Sequence, residues 1–537
     1  MKKILIANRG EIAVRIIRTC RDMGLATVAV YSACDRNALH VRMAGEAFAI
    51  GPDQASESYL RVDKLIDAAR RAGADAVHPG YGFLAENPEF AEGCARAGLT
   101  FIGPSADAMR ALGSKTAARE LAVRAGVPIV PGSDTPLSLE AGAAGNLALA
   151  AAAGAVGYPL LVKAVAGGGG KGMRLVRAPE DLGDAVSVAR SEAASSFGDD
   201  RLYFERYIER PRHIEVQLLG DRHGTVVPFV ERECSIQRRH QKLIEETPSA
   251  AVTPALREQL TTAAAAIGRA AAYTSAGTIE FLVDASGGFY FLEMNTRLQV
   301  EHPITEAVTG LDFVRAQIEI AQGARLADMV GLKADPTQVG SGALVGSGFS
   351  RANGHAIEVR VYAENTDEGF LPSPGLITHL SAPSGPGIRD DSGAYEGWTV
   401  PTAYDPLVSK VIAWAPDRQG AIARMVRALH EYDIRGISTT IGFCRELIAS
   451  SSFAAGDFDT TTVDRMLEQR TAGPAPDAEP HAAHDELAAI AAALWEMVRL
   501  KPDPTKVGHD HKVGAGFSRT KPADSLWAQR ARLENLR

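Results

Sequence analysis

"GGFYFLEMNTRLQVEHP", residues 287–303, starts as an apolar strand and turns polar at its midpoint while keeping an extended pattern. Glu293, Asn295, Arg297, Gln299 and Glu301 occupy alternate positions, and an extended backbone sends alternate side chains to one side. A solvated edge strand would show the same alternation, so the neighbouring segments have to decide what the row does.

The segment leading into it, GTIEFLVDASGGFYFLEMN (277–295), reads as a β-hairpin. With Ala285–Gly288 as a four-residue loop, Asp284 faces Phe289 and Glu280 falls opposite Glu293. A slip of one residue would move one glutamate to the other face. Carboxylates opposed at about 5 Å between Cβ atoms repel, and a fold keeps such a pair when a cation compensates it.

Further out, YPLLVKAVAGGGGKGMRLV (158–176) places four consecutive glycines between two strands, bracketed by Lys163 and Lys171. Glycines let backbone N–H groups approach an anion closely, so the loop reads as a phosphate flap, although a flexible hairpin has the same composition. It is not a Walker A loop, because no GK[ST] opens a helix after it. Hard oxygen ligands beside such a flap indicate Mg²⁺ carried with a nucleotide. ERECSIQRRHQKLIEE (231–246) adds Arg238, Arg239, His240 and Lys242 between acidic ends. Alone it reads as a solvated charge run; beside a carboxylate-rich metal site its cations would hold a small anion.

The N-terminal segments KKILIA, NRGE, IAVRIIRTCRDMG and ATVAVYS read as strand, turn, helix, strand, with Ile12, Ile16, Cys20 and Met23 on one helical face and Gly24 at its end. This βαβ start predicts a parallel sheet, and the missing GxGxxG speaks against a dinucleotide cofactor. Residues from about 210 to 303 mix strands with one helix, and residues after Gly354 repeat that mixture, predicting α+β units. With 537 residues, 46% apolar and 23% charged, a multidomain globular protein follows. A net charge of −8 argues against nucleic acid as partner. The five cysteines form no CxxC pair, which fits a reducing cytoplasm rather than zinc or disulfides. The N-terminus has too short an apolar run for a signal peptide, and LALAAAAGAVGYPLLV reads as helix, turn and strand rather than a membrane span.

Five of these segments in order and spacing, ILIANRGEIAVRIIRTC, HPGYGFLAENPEFA, VKAVAGGGGKGMR, SIQRRHQKLIEE and FLEMNTRLQVEHPITEAVTG, resemble the biotin carboxylase component of biotin-dependent carboxylases, within the ATP-grasp superfamily. The resemblance runs from residue 2 to about 470 with an interruption near 330–351, and departs at Ala166, where glycine is more usual. It implies an α/β and α+β multidomain fold: an N-terminal parallel-sheet α/β domain (1–114), an ATP-grasp domain (115–330, with a glycine-rich flap at about 133–204), an inserted loop (331–351), a C-terminal α+β domain (352–470), a linker (471–484) and a tail (485–537). The same resemblance implies that Lys115, Lys163, Gly169, Gly170, Glu205, Arg206, Tyr207, Ile208, His213, Gln237, His240, Glu280 and Leu282 bind ATP. Glu280, Glu293 and Asn295 would hold Mg²⁺ or Mn²⁺. Lys242, Arg297, Gln299 and Val300 would form the bicarbonate pocket with Glu301 as general base, and Tyr81 and Arg360 would serve biotin.

Biotin in this family sits on a lysine within Met-Lys-Met; the chain has no such tripeptide, so biotin is expected on a separate carrier protein, with carboxyltransferase subunits also on other chains and a homodimer for this one. Acetyl-CoA, another acyl-CoA and pyruvate stay open as final acceptor. Competing readings are another ATP-grasp carboxylate–amine ligase and a catalytically silent nucleotide-binding subunit. The resemblance leaves out a repeat: MVGLKADPTQVGSGALVGSGFSR (329–351) and MVRLKPDPTKVGHDHKVGAGFSR (497–519) share 15 of 23 positions. Rich in Gly, Pro, Asp and Lys, they read as in-frame copies of a repetitive element rather than a packed repeat unit. The tail also holds an amphipathic pattern from Asp485 to Arg499 that predicts a docking helix.

Overall fold

Lys3–Ile6 and Ala26–Ser32 lie side by side as parallel strands joined by the helix Gly10–Asp22 in the computed structural model of the chain. That helix buries Ile12, Ile16 and Cys20 against the sheet, and Gly24 takes the left-handed φ of +68° that turns the chain back. The sheet has five strands in the order Glu46–Gly51, Ala26–Ser32, Lys3–Ile6, Ala76–His78, Thr100–Phe101, all parallel, as the βαβ pattern predicts. Residues 1–133, 137, 143–165, 173–329 and 353–472 are described. Met1–Leu467 form one unit, and Glu468–Arg537 a second, of which the end of the helix Thr462–Ala472 is described. That helix takes in the first two residues of the expected linker; the rest of the linker, the tail with its helix, both repeat copies beyond Met329 and the flap glycines Gly169 and Gly170 lie outside the described residues.

Helices Ala106–Gly113 and Lys115–Arg124 follow, each started by a serine, Ser105 and Ser114, whose hydroxyl accepts a backbone N–H of the first turn. A three-stranded antiparallel sheet comes next, with Leu160–Ala164 between Met173–Val176 and Leu202–Arg206. Helices Ala143–Val156 and Leu182–Phe197 cover it around Leu160, Val162, Phe204 and Ala189. The alanine-rich stretch is thus helix, turn and strand. Among the described residues no helix is long and apolar enough to cross a membrane.

The largest sheet has eight strands in the order Phe289–Asn295, Ser275–Val283, Arg212–Gly220, Val226–Arg238, Gln241–Thr247, His355–Tyr362, Leu407–Ala415, Ile388–Ser392. Its ladders are antiparallel, and the strands after residue 354 continue those before 303 without a break in hydrogen bonding. Periodicity alone carried no sign of that continuity, since strand partners are chosen by packing. Val226–Arg238 is buried along its whole length, its charged residues included. The helix Pro254–Ala270, capped by Thr253 with proline at its first position, packs Leu256, Leu260 and Ile267 on one face of the sheet.

The hairpin at the sheet's edge does pair Glu280 with Glu293. The route differs from the count: Val283, not Asp284, faces Phe289, and a bulge between Glu280 and Phe281 restores the register. Asp284 joins the loop because its carboxylate accepts the N–H groups of Ser286 and Gly288, both at 2.9 Å. The extended row also stops early. The strand ends at Asn295, and Glu301 stands at the start of the helix His302–Thr309.

Candidate functional site

Lys242, the fourth residue back from the end of its glutamate-rich run, lies on Gln241–Thr247 in the middle of the eight-stranded sheet. Its ammonium donates to three carboxylates: Glu215 at 2.6 Å, Glu301 at 2.6 Å and Glu280 at 3.1 Å. All three are buried. Burial alone would lower the lysine's proton affinity, but the three carboxylates outweigh it and keep Lys242 charged. Arg232, also fully buried, braces the same centre through Glu215 at 2.5 Å, Gln217 at 2.9 Å, Thr305 at 3.0 Å and Thr278 at 3.1 Å.

Glu280 is the second hub. One of its oxygens accepts from Asn295 at 2.9 Å and Gln299 at 3.2 Å, and the other lies 3.0 Å from His213. Burial raises its proton affinity, yet Lys242 and His213 dominate and hold the carboxyl well below the usual range. Arg297 bridges the row, donating to Asn295 at 3.0 Å and Gln299 at 3.2 Å. Asn295, at the end of the strand, and Gln299, in the loop after it, therefore meet at Glu280, and Arg297 joins them through its bonds to both. Glu293 lies across the ladder from Glu280.

Glu301 accepts from Lys242 at 2.6 Å and from Arg360 at 3.0 Å. Burial would raise its proton affinity; Lys242, Arg360 and Arg232 reverse that and hold it ionised, well below the usual range. Arg360 comes from His355–Tyr362 and also donates to Glu245 at 2.6 Å. Its ladder partner Lys410 donates to the Val300 carbonyl at 2.8 Å and sits 5.9 Å from the centre of the Tyr81 ring, so Val300 and Tyr81 belong to the same neighbourhood.

The expected nucleotide group divides. Lys163 donates to Glu205 at 2.5 Å, Arg119 reaches the other oxygen of that carboxylate, and Tyr207 follows on, its N–H bonded to the Pro159 carbonyl. His213 is the ladder partner of Leu282, and Gln237 that of Lys242. Arg206 is exposed and reaches the Val156 carbonyl at 3.4 Å, and Ile208 is buried. His240 lies in the exposed turn before Lys242, so the basic run is split: Lys242 points inward, Arg238 donates to the Gly369 carbonyl, and Arg239 and His240 stay outside. The Lys115 side chain, Gly169 and Gly170 lie outside the described residues.

Several contributors escaped the sequence reading, Arg232, Arg119 and Lys410 among them. Glu215 and Gln217 alternate with His213 along Arg212–Gly220, the same signal that singled out residues 293–301, masked by the apolar residues on the other face. Glu86, in the segment between Tyr81 and Phe90, accepts Arg297 Nε at 2.9 Å and the Thr296 N–H at 2.8 Å, and no local pattern announces it. Ligand-type atoms of His213, Glu215 and Glu280 lie within 4.8 Å of one another, as do those of Glu215, Cys234 and Glu301, and Lys242 donates to the three glutamates of the two groups.

Comparison with known proteins bears on this centre. Residues 1–109 match the family model of the biotin carboxylase N-terminal domain, 114–329 that of the carbamoyl-phosphate synthase L chain ATP-binding domain, and 358–465 that of the biotin carboxylase C-terminal domain. Biotin carboxylase 1 of Bacillus subtilis is 49% identical over 462 residues, 86% of this chain and 97% of that protein. The crystal structure of a biotin carboxylase–βγ-ATP complex from Campylobacter jejuni has a TM-score of 0.78 at 45% identity, covering 86% of this chain and 98% of that one. The biotin carboxylase domain dimer of Hydrogenobacter thermophilus 2-oxoglutarate carboxylase, in complex with MgADP, ADP and bicarbonate, has a TM-score of 0.78 at 43% identity, covering 87% and 98%.

Proposed function

The chain belongs to the biotin carboxylase family, and on that premise we infer that it carboxylates biotin with bicarbonate and ATP at the centre built around Lys242. The observation that supports this most directly is the set of groups around one small volume: a buried ammonium shared by three carboxylates, with the Arg297 guanidinium tied to Asn295 and Gln299 beside it. Bicarbonate is a weak nucleophile, and activating it calls for an anion clamp and a base in one place. Lys242, Arg297, Gln299 and the Val300 backbone form the clamp in this reading.

Glu301 takes the bicarbonate proton. It is ionised as it stands, as a base must be, and an anion that draws Lys242 toward itself loosens the 2.6 Å pair that now weakens its basicity. The freed oxygen attacks the γ-phosphorus, the bond to ADP breaks and carboxyphosphate forms; its decay gives CO₂ and phosphate, phosphate removes the ureido N–H proton, and the nitrogen attacks CO₂. Arg360 steadies the enolate form of the ureido ring. Lys163 and Glu205 line the nucleotide side, and lysine and arginine act there by stabilising developing charge.

Glu280, Glu293 and Asn295 fit Mg²⁺ or Mn²⁺, since all three offer hard oxygen atoms and two of them are opposed carboxylates. When bound, the cation supplies charge neutralisation between phosphate groups. Biotin arrives on a separate carrier protein, and carboxyltransferase subunits on other chains consume the carboxyl group; the subunit pairs with a copy of itself and works in a reducing cytoplasm, which suits its five free thiols.

ADP release measured with and without bicarbonate and free biotin tests the reading. Release that requires bicarbonate and rises with biotin is expected. Release that ignores bicarbonate but needs an amine would point to a carboxylate–amine ligase instead.

A further inference from the structure

Two buried glutamates next to the site take no part in the chemistry above. Gln241–Thr247 and His355–Tyr362 run antiparallel with Glu245 directly opposite Glu358. Directly paired residues project to the same face, with Cβ atoms about 5 Å apart. Neither side chain is exposed to solvent. Glu245 gives one oxygen to Arg360 Nε at 2.6 Å, while its other oxygen and both oxygens of Glu358 have no hydrogen-bond partner among the described residues.

Two carboxylates held side by side out of water repel each other when both are ionised, which favours a proton on one of them. The groups that face the pair are Lys242 on the strand of Glu245, Arg360 beside Glu358, Lys410 on Leu407–Ala415, Cys234 on Val226–Arg238, Glu301 at the helix start and Cys444 on the helix Ile441–Ala449. Burial pushes Glu245 up to about 7, and burial, with Glu245 and Glu301 adding to it against Lys410 and Arg360, pushes Glu358 well above its ordinary value. Arg360 donates to Glu245 while neither oxygen of Glu358 has a partner among the described residues, which places the proton on Glu358.

We propose that Glu245 and Glu358 form a proton-sharing carboxyl pair that positions Arg360 for the biotin step. With the proton on Glu358, the single charge on Glu245 anchors the Nε edge of the guanidinium, one Nη contacts Glu301, and the remaining N–H donors are left for the ureido oxygen. Loss of the second proton adds a buried charge next to Arg360 and pulls the guanidinium toward the pair, away from biotin. The proposal rests on the reading of Arg360 as the group that serves biotin.

The test compares Glu245→Gln, Glu245→Asp and Glu358→Gln in the full chain, measuring the ratio of biotin-stimulated to biotin-independent, bicarbonate-driven ADP release from pH 6 to 9. Glu245→Gln should lower that ratio about 10-fold, the size expected for losing a charged hydrogen bond, and Glu245→Asp should recover part of it. Glu358→Gln should keep the wild-type ratio at pH 7, because an amide copies the protonated acid, and should hold it at alkaline pH where the wild-type ratio declines. Proportional loss of both activities in Glu245→Gln, or a drop in Glu358→Gln at pH 7 as large as in Glu245→Gln, would overturn the pair's positioning role. Should Glu245→Gln fail to fold, the Glu358→Gln profile decides alone, and an alkaline limb unchanged from wild type refutes the proposal. Arg360→Ala serves as the separate control: equal loss of both activities there overturns the reading of Arg360 itself.

Discussion

A carboxylate in this centre is defined by its partners rather than by its type. Glu280 and Glu301 are kept ionised by Lys242, whereas Glu245 and Glu358, paired across two neighbouring strands of the large sheet, are pushed toward the protonated form by burial. Glu293 differs from all four in being less buried, and its place opposite Glu280 makes it the carboxylate best placed to add a cation ligand without disturbing the Lys242 cluster. Glu293→Gln should therefore leave thermal stability within the roughly 0.5 kcal/mol typical of a substitution that opens no cavity. The same variant should raise the Mg²⁺ concentration for half-maximal ADP release about 10-fold or more, through loss of one charged oxygen ligand. A wild-type Mg²⁺ titration would remove Glu293 from the cation site.

At the scale of the element, the hairpin shows how a right pairing can come from two compensating departures. The loop holds one residue more than the simplest count, because Asp284 folds its own backbone into it, and the bulge gives that residue back before Glu280. Turn chemistry at aspartate was legible in the sequence; the bulge was not, since it depends on how the strand packs beyond it. Gly277 marks that packing. A Cβ there would stand 2.7 Å from the Tyr273 ring and 2.8 Å from Met294 Cε, and the Gly277 carbonyl accepts from Gln217, which holds Arg232. Gly277→Val should cost about 1–3 kcal/mol by overpacking and slow ADP release, while Gly113→Ala, with nothing within 4 Å of the added carbon, should be near neutral. Calorimetric melts of both variants check this, and equal melting temperatures would contradict it.

Over the whole of Met1–Leu467, distant segments are tied by ion pairs in which at least one partner is buried. Arg15 from the first helix meets Glu306 and Asp312 at 2.8 Å, and Arg389 from the C-terminal strands meets Glu306 at 2.7 Å. Asp459 likewise pairs with Arg210, 249 residues earlier, at 2.8 Å. The first repeat copy, residues 329–351, begins at the last residue matched by the ATP-binding family model and ends before the C-terminal one at 358. Lengthening a surface loop costs only about 0.6 kcal/mol per doubling. Deleting residues 333–350 should leave bicarbonate-driven ADP release within about two-fold of the full chain. Abolished activity with the fold intact, by circular dichroism, would make the copy a functional element.

The sequence by itself determined what is local or repeated along the chain. The βαβ opening, the glycine loop between strands, the glutamate pair in the hairpin and the polar row after it all follow from period, turn residues and spacing, which depend on neighbours a few residues apart. Only the tertiary structure decided that the strands after 354 extend the same sheet, that Glu86 anchors Arg297 from 211 positions away, that Glu215 and Arg232 brace Lys242, and that Glu245 faces Glu358. Those choices are made by which buried charge finds which counter-charge once the core has closed, and burial is set by the fold as a whole rather than by any segment of it.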